Sequence, residues 1–129
     1  MSPDGAKVWF IPDAYLATPA DDDPIYKNHE AICVMNTTEN NATLQLDFYF
    51  ADREPIENVV ISMPAKRCYH IRMDIPEQVG GYQIPLDTPY GVRLRSDVPV
   101  VVQYSRMYAT THNISLMTTM AHAINNEGA

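Results

Sequence analysis

The chain is 129 residues long and 46% hydrophobic, a length and composition that fit one globular domain and exclude a disordered chain. It has 16 acidic residues against 9 lysines and arginines, so its formal net charge is −7 at pH 7. This charge disfavours direct, non-specific binding to nucleic acid or to an anionic membrane surface. The net charge does not exclude a local anion site formed by basic residues of the second half of the chain. These residues are Lys66, Arg67, Arg72, Arg93, Arg95 and Arg106.

Cysteine usage and hydrophobic runs bear on compartment and cofactors. The two cysteines, Cys33 and Cys68, have no CxxC spacing, so we expect buried free thiols and no metal site. The sequence starts without the apolar segment of a secretory signal, and no run reaches the roughly 20 apolar residues that span a bilayer. We therefore expect a cytoplasmic protein that is not inserted in a membrane, and we predict no cofactor.

The first third of the chain predicts two strands separated by a long loop. Lys7 to Ile11 is a short β-rich run that Pro12 is expected to end, and the next apolar run is Ala31 to Met35. Trp9 in the first strand is expected in the core. The loop between the strands carries Asp21 to Asp23 before a proline, which we interpret as a solvated acidic turn on the surface.

The middle of the chain shows the clearest strand periodicity. Every second residue from Leu44 to Phe50 is apolar, and Gln45, Asp47 and Tyr49 alternate with them. Turn residues then separate two further predicted strands, Val59–Met63 and Cys68–Met73. In the second of these, an apolar face opposes a polar face that comprises Cys68, His70 and Arg72.

The last part of the chain predicts two or three more strands. Gly91–Arg95 and Val98–Met107 follow a connection that is rich in proline and glycine. Asn113–Ile124 fits both a helix and a strand, and we interpret it as a strand. Repeated short strands separated by turns predict an all-β fold in one domain, an antiparallel β-sandwich or barrel with its core at about residues 7–124.

Two ordered series of residues in this chain resemble the pattern of a known protein family. The first contains His29-Glu30, Asp52-Arg53-Glu54-Pro55 and Pro64-Ala65-Lys66-Arg67, and the second runs from Ile84-Pro85 through Ser96 to Gln103, with Arg106 and Leu116 to Ala121. Together, from about Val8 to Ala123, they resemble the Anabaena sensory rhodopsin transducer family. No single motif is specific, and the order across nearly the whole chain carries the resemblance.

The resemblance implies a β-sandwich that assembles into a homotetramer. In the namesake system it implies a soluble partner that relays the state of a membrane photoreceptor, so a rhodopsin-type receptor is the implied partner here. Family members also look similar to carbohydrate-binding β-sandwiches. Two positions depart from the family pattern: Tyr108 stands where an acidic residue is expected, and His122 where an aromatic residue is expected.

A set of polar residues matches the family pattern and mixes hydrogen-bond donors with acceptors. Such a set suits a small polar ligand that is rich in hydroxyl groups or anionic, because the arginine fork fits carboxylate and phosphate. The same residues would equally suit ion pairs and hydrogen bonds that fix strand register or an oligomer interface. The set is His29, Glu30, Asp52, Arg67, His70, Arg72, Gln103 and Arg106.

Neither metal binding nor catalysis has a recognised pattern in the sequence. His29 and His70 lack further ligands at a metal-binding spacing, and Cys68 and His70 are neighbours on one strand face rather than a preorganised catalytic pair. We therefore predict no catalytic residues and no enzyme activity. The leading hypothesis is a signalling adaptor, and the alternative is a carbohydrate- or metabolite-binding module without a receptor.

Overall fold

A computed structural model describes residues 4–19, 27–109 and 113–124. The predicted acidic turn at Asp21 to Asp23 lies outside these residues. No helix in the described part of the chain is long and apolar enough to cross a membrane. The described residues form eight strands and one short 3-10 helix, Pro76–Gln78. The strands are β1 (Ala6–Tyr15), β2 (His29–Asn36), β3 (Ala42–Tyr49), β4 (Ile56–Met63), β5 (Arg67–Arg72), β6 (Pro89–Ala109), β7 (Ile114–Met120) and β8 (His122–Ile124).

The long strand β6 organises the whole sheet. Its first half pairs with β1 and β3, and its second half pairs with β2 and β7. The strand order is therefore β4-β3-β6-β1-β8 in the first layer, here called sheet 1, and β5-β2-β6-β7 in the second, sheet 2. Every pairing is antiparallel. This arrangement confirms the predicted antiparallel β-sandwich.

The core lies between the two sheets and is built from the apolar face of each. Sheet 1 contributes Leu44, Leu46 and Phe48, as the alternation in the sequence predicted, and sheet 2 contributes Ile32 and Val102. These side chains are fully or almost fully buried, and each such burial stabilises the fold by roughly 1.5–3 kcal/mol.

Trp9 is also in the core, as predicted. Its indole nitrogen Nε1 lies 3.0 Å from two carbonyl oxygens, those of Ala6 and Val100, to which it donates. The first carbonyl belongs to β1 and the second to β6, so the tryptophan ties the start of the chain to the point where β6 passes from sheet 1 to sheet 2.

Two strand boundaries differ from the prediction. Pro12 does not end β1, because the pairing register with β6 shifts between Ile11 and Ala14 and this bulge removes the proline from the hydrogen-bonded ladder. The predicted break between Gly91–Arg95 and Val98–Met107 is absent, because residues 96–99 of β6, Pro99 among them, form the passage between the sheets within one continuous strand. Pairing with β3 ends at Ser96 and pairing with β2 begins at Val101, so no ladder hydrogen bond is needed from the proline.

The end of the chain forms strands, as predicted. β7 pairs with the second half of β6, and β8 pairs with Val8–Phe10 of β1, so the two strands connect sheet 2 to sheet 1. All seven residues of β7 are exposed. The cysteines are free, but Cys68 is exposed and Cys33 is half-buried, so the expectation of buried thiols is wrong. Both lie on the outer face of sheet 2, away from the core.

Candidate functional site

A buried carboxylate lies at the centre of a polar network inside the sandwich. Glu30, in β2, is 1% exposed because it occupies a core-facing position between apolar residues. Its Oε1 accepts a hydrogen bond from the Tyr90 hydroxyl at 2.6 Å, and its Oε2 accepts one from the backbone N–H of Tyr15 at 2.7 Å. The Tyr104 hydroxyl also donates to Oε2. Three donors therefore satisfy this carboxylate.

Arg106 supplies the positive charge of this network. Its Nε lies 3.6 Å from Glu30 Oε2 and donates to the Tyr104 hydroxyl at 3.0 Å, while one Nη donates to the carbonyl of Asp13. Burial nevertheless raises the pKa of Glu30, and the hydrogen bonds and the arginine oppose this effect only in part. Since every carboxylate oxygen already has a partner, the network stabilises the fold and offers no free group to a ligand.

Two of the predicted site residues, Glu30 and Arg106, are thus brought together. Tyr90 and Tyr104 complete the network, and sequence reasoning missed both. Each tyrosine falls at a core-facing position of β6, in alternation with outward residues, so nothing in the local pattern separates it from an ordinary core residue. The pairing of β6 with two distant strands reveals the contacts: β2 places Ile32 opposite Tyr104, and β1 places Ala14 opposite Tyr90.

A groove of about 520 Å³ lies between the edge strands β4 and β5, and another of the predicted site residues, His70, lines it. Ser62, Tyr69 and His70 present a hydroxyl, a phenol and an imidazole to the groove, and none of their side chains bonds to another described residue. Glu77 and Gln78 contribute polar groups from the 3-10 helix, and Val60, Ile61 and Ile71 form apolar walls. Apolar walls with a few polar groups are typical of small-molecule sites.

The other predicted residues lie apart from both places. Asp52 is in the turn after β3 and pairs with the adjacent Arg53, while Arg67 donates to the carbonyl of its neighbour Lys66. The ring nitrogen Nδ1 of His29 lies 2.8 Å from the carbonyl oxygen of Lys27. These three contacts are local, so they assemble no common site.

Arg72 and Gln103 lie on the outer face of sheet 2 with His70: Arg72 is two residues from His70 on β5, and Gln103 is on β6. Arg72 donates two hydrogen bonds of 2.8 Å to Asp74, so its guanidinium is already occupied. Gln103 stands opposite Cys33 of β2, which in turn stands opposite His70 of β5. Two strand spacings, about 10 Å, therefore separate Gln103 from His70.

A second ionic cluster, centred on Asp47, was also missed. Asp47 is on the outer face of sheet 1 yet is 0% exposed, because Arg93 and Arg95 on the adjacent β6 and Asn58 on β4 cover it. Burial alone would raise the pKa of Asp47, but the hydrogen bond from the Asn58 backbone and the two arginines lower it below the usual 3.8. Arg93 and Arg95, two of the basic residues considered for a local anion site, therefore already bind a carboxylate within the chain.

The outer face of sheet 2 is mostly uncharged. By strand alternation it comprises the outward residues of β5, β2, β6 and β7, among which Arg72 is the one lysine, arginine, aspartate or glutamate, and His29 and His70 are the histidines. Its exposed side chains are largely apolar, with Leu116 at 75% exposure. Exposed apolar side chains in a contiguous group mark surfaces that bind other molecules. The most exposed are Met35, Ile114, Leu116 and Met120.

Catalytic and metal-binding arrangements have little support among the described residues. Residues 4–19, 27–109 and 113–124 contain no group of three or more His, Cys, Asp or Glu side chains placed to hold a metal ion. Burial raises the pKa of Cys33, which reduces the thiolate fraction that a nucleophile needs.

The fold and these sites define a class: an antiparallel β-sandwich protein whose two buried carboxylates, Glu30 and Asp47, are hydrogen-bonded within the chain and whose outer faces carry the accessible features. The sequence family described as Anabaena sensory rhodopsin transducer matches residues 4–123. The chain belongs to the Anabaena sensory rhodopsin transducer family. This confirms the resemblance drawn from the sequence and makes the chain a sensory-transducer-like protein.

Solved structures agree with this membership. The crystal structure of Thermotoga maritima 1070 is 30% identical in sequence, with a TM-score of 0.84, and the match covers 95% of this chain and 98% of that one. The Anabaena sensory rhodopsin transducer is 29% identical, with a TM-score of 0.69, over 81% of this chain and 90% of that one. No curated protein sequence matches this chain.

Proposed function

We propose that this protein is a cytoplasmic, non-enzymatic signalling adaptor that works as a homo-oligomer, a tetramer, and relays the state of a rhodopsin-type membrane receptor through protein contacts. Membership of the transducer family supports this function. The observation that carries it is the mostly uncharged, apolar outer face of sheet 2, because such a surface binds proteins rather than ions or nucleic acid.

The electrostatics of the chain agree with a protein partner. The net charge of −7 opposes approach to DNA and to anionic lipid, so contact with a receptor must come from a surface that carries little negative charge. The outer face of sheet 2 meets this condition, since none of the outward residues that pair between β5, β2, β6 and β7 is acidic.

Titration of the purified protein against a sensory rhodopsin in lipid nanodiscs tests the adaptor function. We expect saturable binding with a dissociation constant that differs between darkness and illumination, since a relay must read the two receptor states differently. Empty nanodiscs serve as the control. Equal affinity in both states, or binding no stronger than to empty nanodiscs, would contradict the proposal.

A second candidate function is a carbohydrate- or metabolite-binding module without a receptor. The groove between β4 and β5 favours it, because Ser62, Tyr69 and His70 have no partner among the described residues and would hydrogen-bond a small polar ligand. No lysine or arginine lines this groove, so a neutral polar ligand fits it better than an anion.

A thermal-shift screen with sugars, nucleosides and small anions tests this second function. A ligand at a hundred times its dissociation constant stabilises the folded state by about 2.7 kcal/mol, which raises the melting temperature. We expect His70→Ala to remove the shift and His122→Ala, which changes an exposed histidine of β8 outside the groove, to keep it. A shift that survives His70→Ala would place the ligand elsewhere.

A further inference from the structure

A bulge in β1 opens a hollow on the outer face of sheet 1. The register of β1 against β6 shifts between Ile11 and Ala14, so Pro12 and Asp13 leave the ladder and are exposed. Opposite the bulge, β6 has Gly91, whose missing side chain leaves the space open. The hollow has a volume of about 430 Å³ and shares no lining residue with the groove between β4 and β5. It is therefore a separate candidate site.

Aromatic side chains line this hollow. Tyr49 of β3 stands opposite Gly91 in the ladder and is 40% exposed, while Phe10 and Phe50, which also line the hollow, are half-buried. A Cβ at Gly91 would lie 3.3 Å from the carbonyl oxygen of Ile11, so a larger residue there would crowd the backbone of β1 as well as fill the hollow. Aromatic walls beside a glycine suit a flat ring, because aromatic rings pack by offset stacking or by edge-to-face contact.

The charge at the rim of the hollow is negative. Among the described residues that line it, Asp13 is the one charged residue, and its side chain is 91% exposed. Arg106 lies 3.6 Å from Asp13 Oδ1, but it also lies 3.6 Å from Glu30 Oε2, so one guanidinium is shared between two carboxylates. Asp13 is therefore open to a further cation, and charge complementarity favours a positively charged ligand.

Two neighbouring arginines show that the aromatic rings of the hollow accept cations. The guanidinium of Arg93 lies 5.9 Å from the centroid of the Tyr49 ring, and that of Arg53 lies 5.2 Å from the centroid of the Phe50 ring. Neither arginine lines the hollow. Each is paired with a carboxylate at 2.9 Å, Arg93 with Asp47 and Arg53 with the aspartate that precedes it, so these two charges are already matched within the chain.

We infer that this hollow binds a small aromatic ligand that carries a positive charge, an arylalkylamine. The ring of the ligand packs over Gly91 beside Tyr49, and its ammonium group pairs with the Asp13 carboxylate. The volume of the hollow is in the range of small-molecule sites. This site goes beyond the proposed adaptor function, and it differs in ligand charge from the groove between β4 and β5, which favours a neutral ligand.

A backbone-amide NMR titration with phenethylamine tests the inference. Phenethyl alcohol and hydrocinnamate serve as matched probes, since each has a phenyl ring on a short chain but is neutral or anionic. We expect phenethylamine to shift the Gly91 amide resonance saturably, with a dissociation constant about tenfold lower than that of either matched probe. Equal affinity for phenethylamine and phenethyl alcohol, or shifts that lie away from Gly91, would overturn the site.

A charge reversal at the rim tests the role of Asp13. Because Asp13 is exposed, Asp13→Lys is expected to keep the fold and to reverse the preference, so that hydrocinnamate binds more tightly than phenethylamine. Glu39→Lys, at an exposed carboxylate outside the hollow, makes the same change in net charge and is expected to keep the wild-type preference. A preference for phenethylamine that persists in Asp13→Lys contradicts the inference and leaves the adaptor function untouched.

The aromatic wall has its own test. Tyr49→Ala is expected to weaken the binding of phenethylamine by about tenfold, because the ring loses its stacking partner. Tyr108→Ala, at a tyrosine of β6 that is 50% exposed and outside the hollow, is the control and keeps the wild-type affinity. The amide spectrum of each variant reports whether it is folded. Unchanged affinity in folded Tyr49→Ala would show that the ligand does not lie in this hollow.

Discussion

Glu30 shows how one residue links sequence, packing and pH response. A glutamate among core positions has to be paired or neutral, and here three donors and Arg106 surround it while burial still raises the pKa of Glu30. The folded state therefore holds the Glu30 proton more tightly than the unfolded state does. It follows that the free energy of unfolding falls as the pH rises from about 4.5 through the folded-state pKa.

Glu30→Gln is predicted to remove this pH dependence. The wild type loses stability relative to the variant across that window, with a slope of up to about 1.4 kcal/mol per pH unit, and the difference becomes constant above the folded-state pKa. Urea unfolding of both proteins at a series of pH values measures it. Glu39→Gln, at an exposed side chain, controls for the lost charge. A wild-type-to-variant difference that is the same at every pH would contradict the role given to Glu30.

Asp47 changes the pH dependence of stability in the opposite direction to Glu30, because the Asn58 N–H and the two arginines lower the pKa of Asp47 in the folded state. Asp47→Asn is expected to destabilise the fold by about 1–3 kcal/mol at neutral pH, since both arginines lose their partner but remain about a third exposed to water. The stabilisation by Asp47 is present above pH 3.8 and is lost as the pH falls through the lower folded-state value.

Chemical denaturation of Asp47→Asn beside Asp52→Asn measures this effect. Asp52 is fully exposed and pairs only with its neighbour Arg53, so its substitution is expected to leave stability unchanged. Equal stability of the two variants at pH 7 would show that the buried cluster contributes nothing to the fold.

Among the elements, the segment after β5 depends on one glycine that cannot carry a side chain. Gly80 has a φ of +58°, and a Cβ there would lie 2.8 Å from Val59 Cγ1 and 2.9 Å from the carbonyl oxygen of Val60. This close approach packs the segment onto β4 and brings Glu77 and Gln78 to the groove. Gly81 has a φ of +86° but nothing within 4 Å of its Cβ position.

Gly80→Ala is therefore predicted to destabilise the protein more than Gly81→Ala does. Both changes incur the backbone cost of the left-handed conformation, about 1–2 kcal/mol. Gly80→Ala adds a steric cost of about 1–3 kcal/mol, because a backbone carbonyl cannot move aside as a flexible side chain can. Thermal unfolding of the two variants side by side measures the difference, and equal melting temperatures would show that β4 does not hold this segment closely.

Strand existence was predictable at the element scale, whereas strand partners were not. The alternation from Leu44 to Phe50 directly reports a half-buried strand. The pattern of Asn113–Ile124 fitted both a helix and a strand, and the structure divides this single predicted strand into β7 and β8. Pro12 and the predicted break between Arg95 and Val98 were false boundaries, because β1 accommodates the proline at a bulge and β6 continues through the passage between the sheets. The periodicity of each strand contains no information about its register against a distant strand.

The candidate sites depended on that missing register. Glu30 and Arg106 were identified from the sequence, but the contacts of Glu30 with Tyr90 and of Arg106 with Tyr104 depend on the pairing of distant strands. The eight predicted residues matched a family pattern, and the structure distributes them over a buried network, a groove and several local contacts. Their role in binding a ligand stays a prediction that the groove at His70 supports in part.

At the scale of the whole molecule, the chain buries its charges in pairs and leaves one uncharged edge open. Asp47 and Glu30 are satisfied inside, while β7 exposes apolar side chains on both faces and, among the described residues, pairs only with β6. We propose that the open edge of β7 is covered in the assembled protein, because an open edge of this kind otherwise promotes aggregation.

Hydrogen exchange of the β7 amides as a function of protein concentration tests this claim most directly. About half of the amides in an edge strand point away from its single partner, so in an isolated chain they exchange quickly. We expect peptides that span residues 114–120 to be protected at high concentration and to lose protection on dilution, while β4 peptides stay unchanged. Fast exchange of β7 at every concentration would contradict the claim, because it would show that nothing covers this edge.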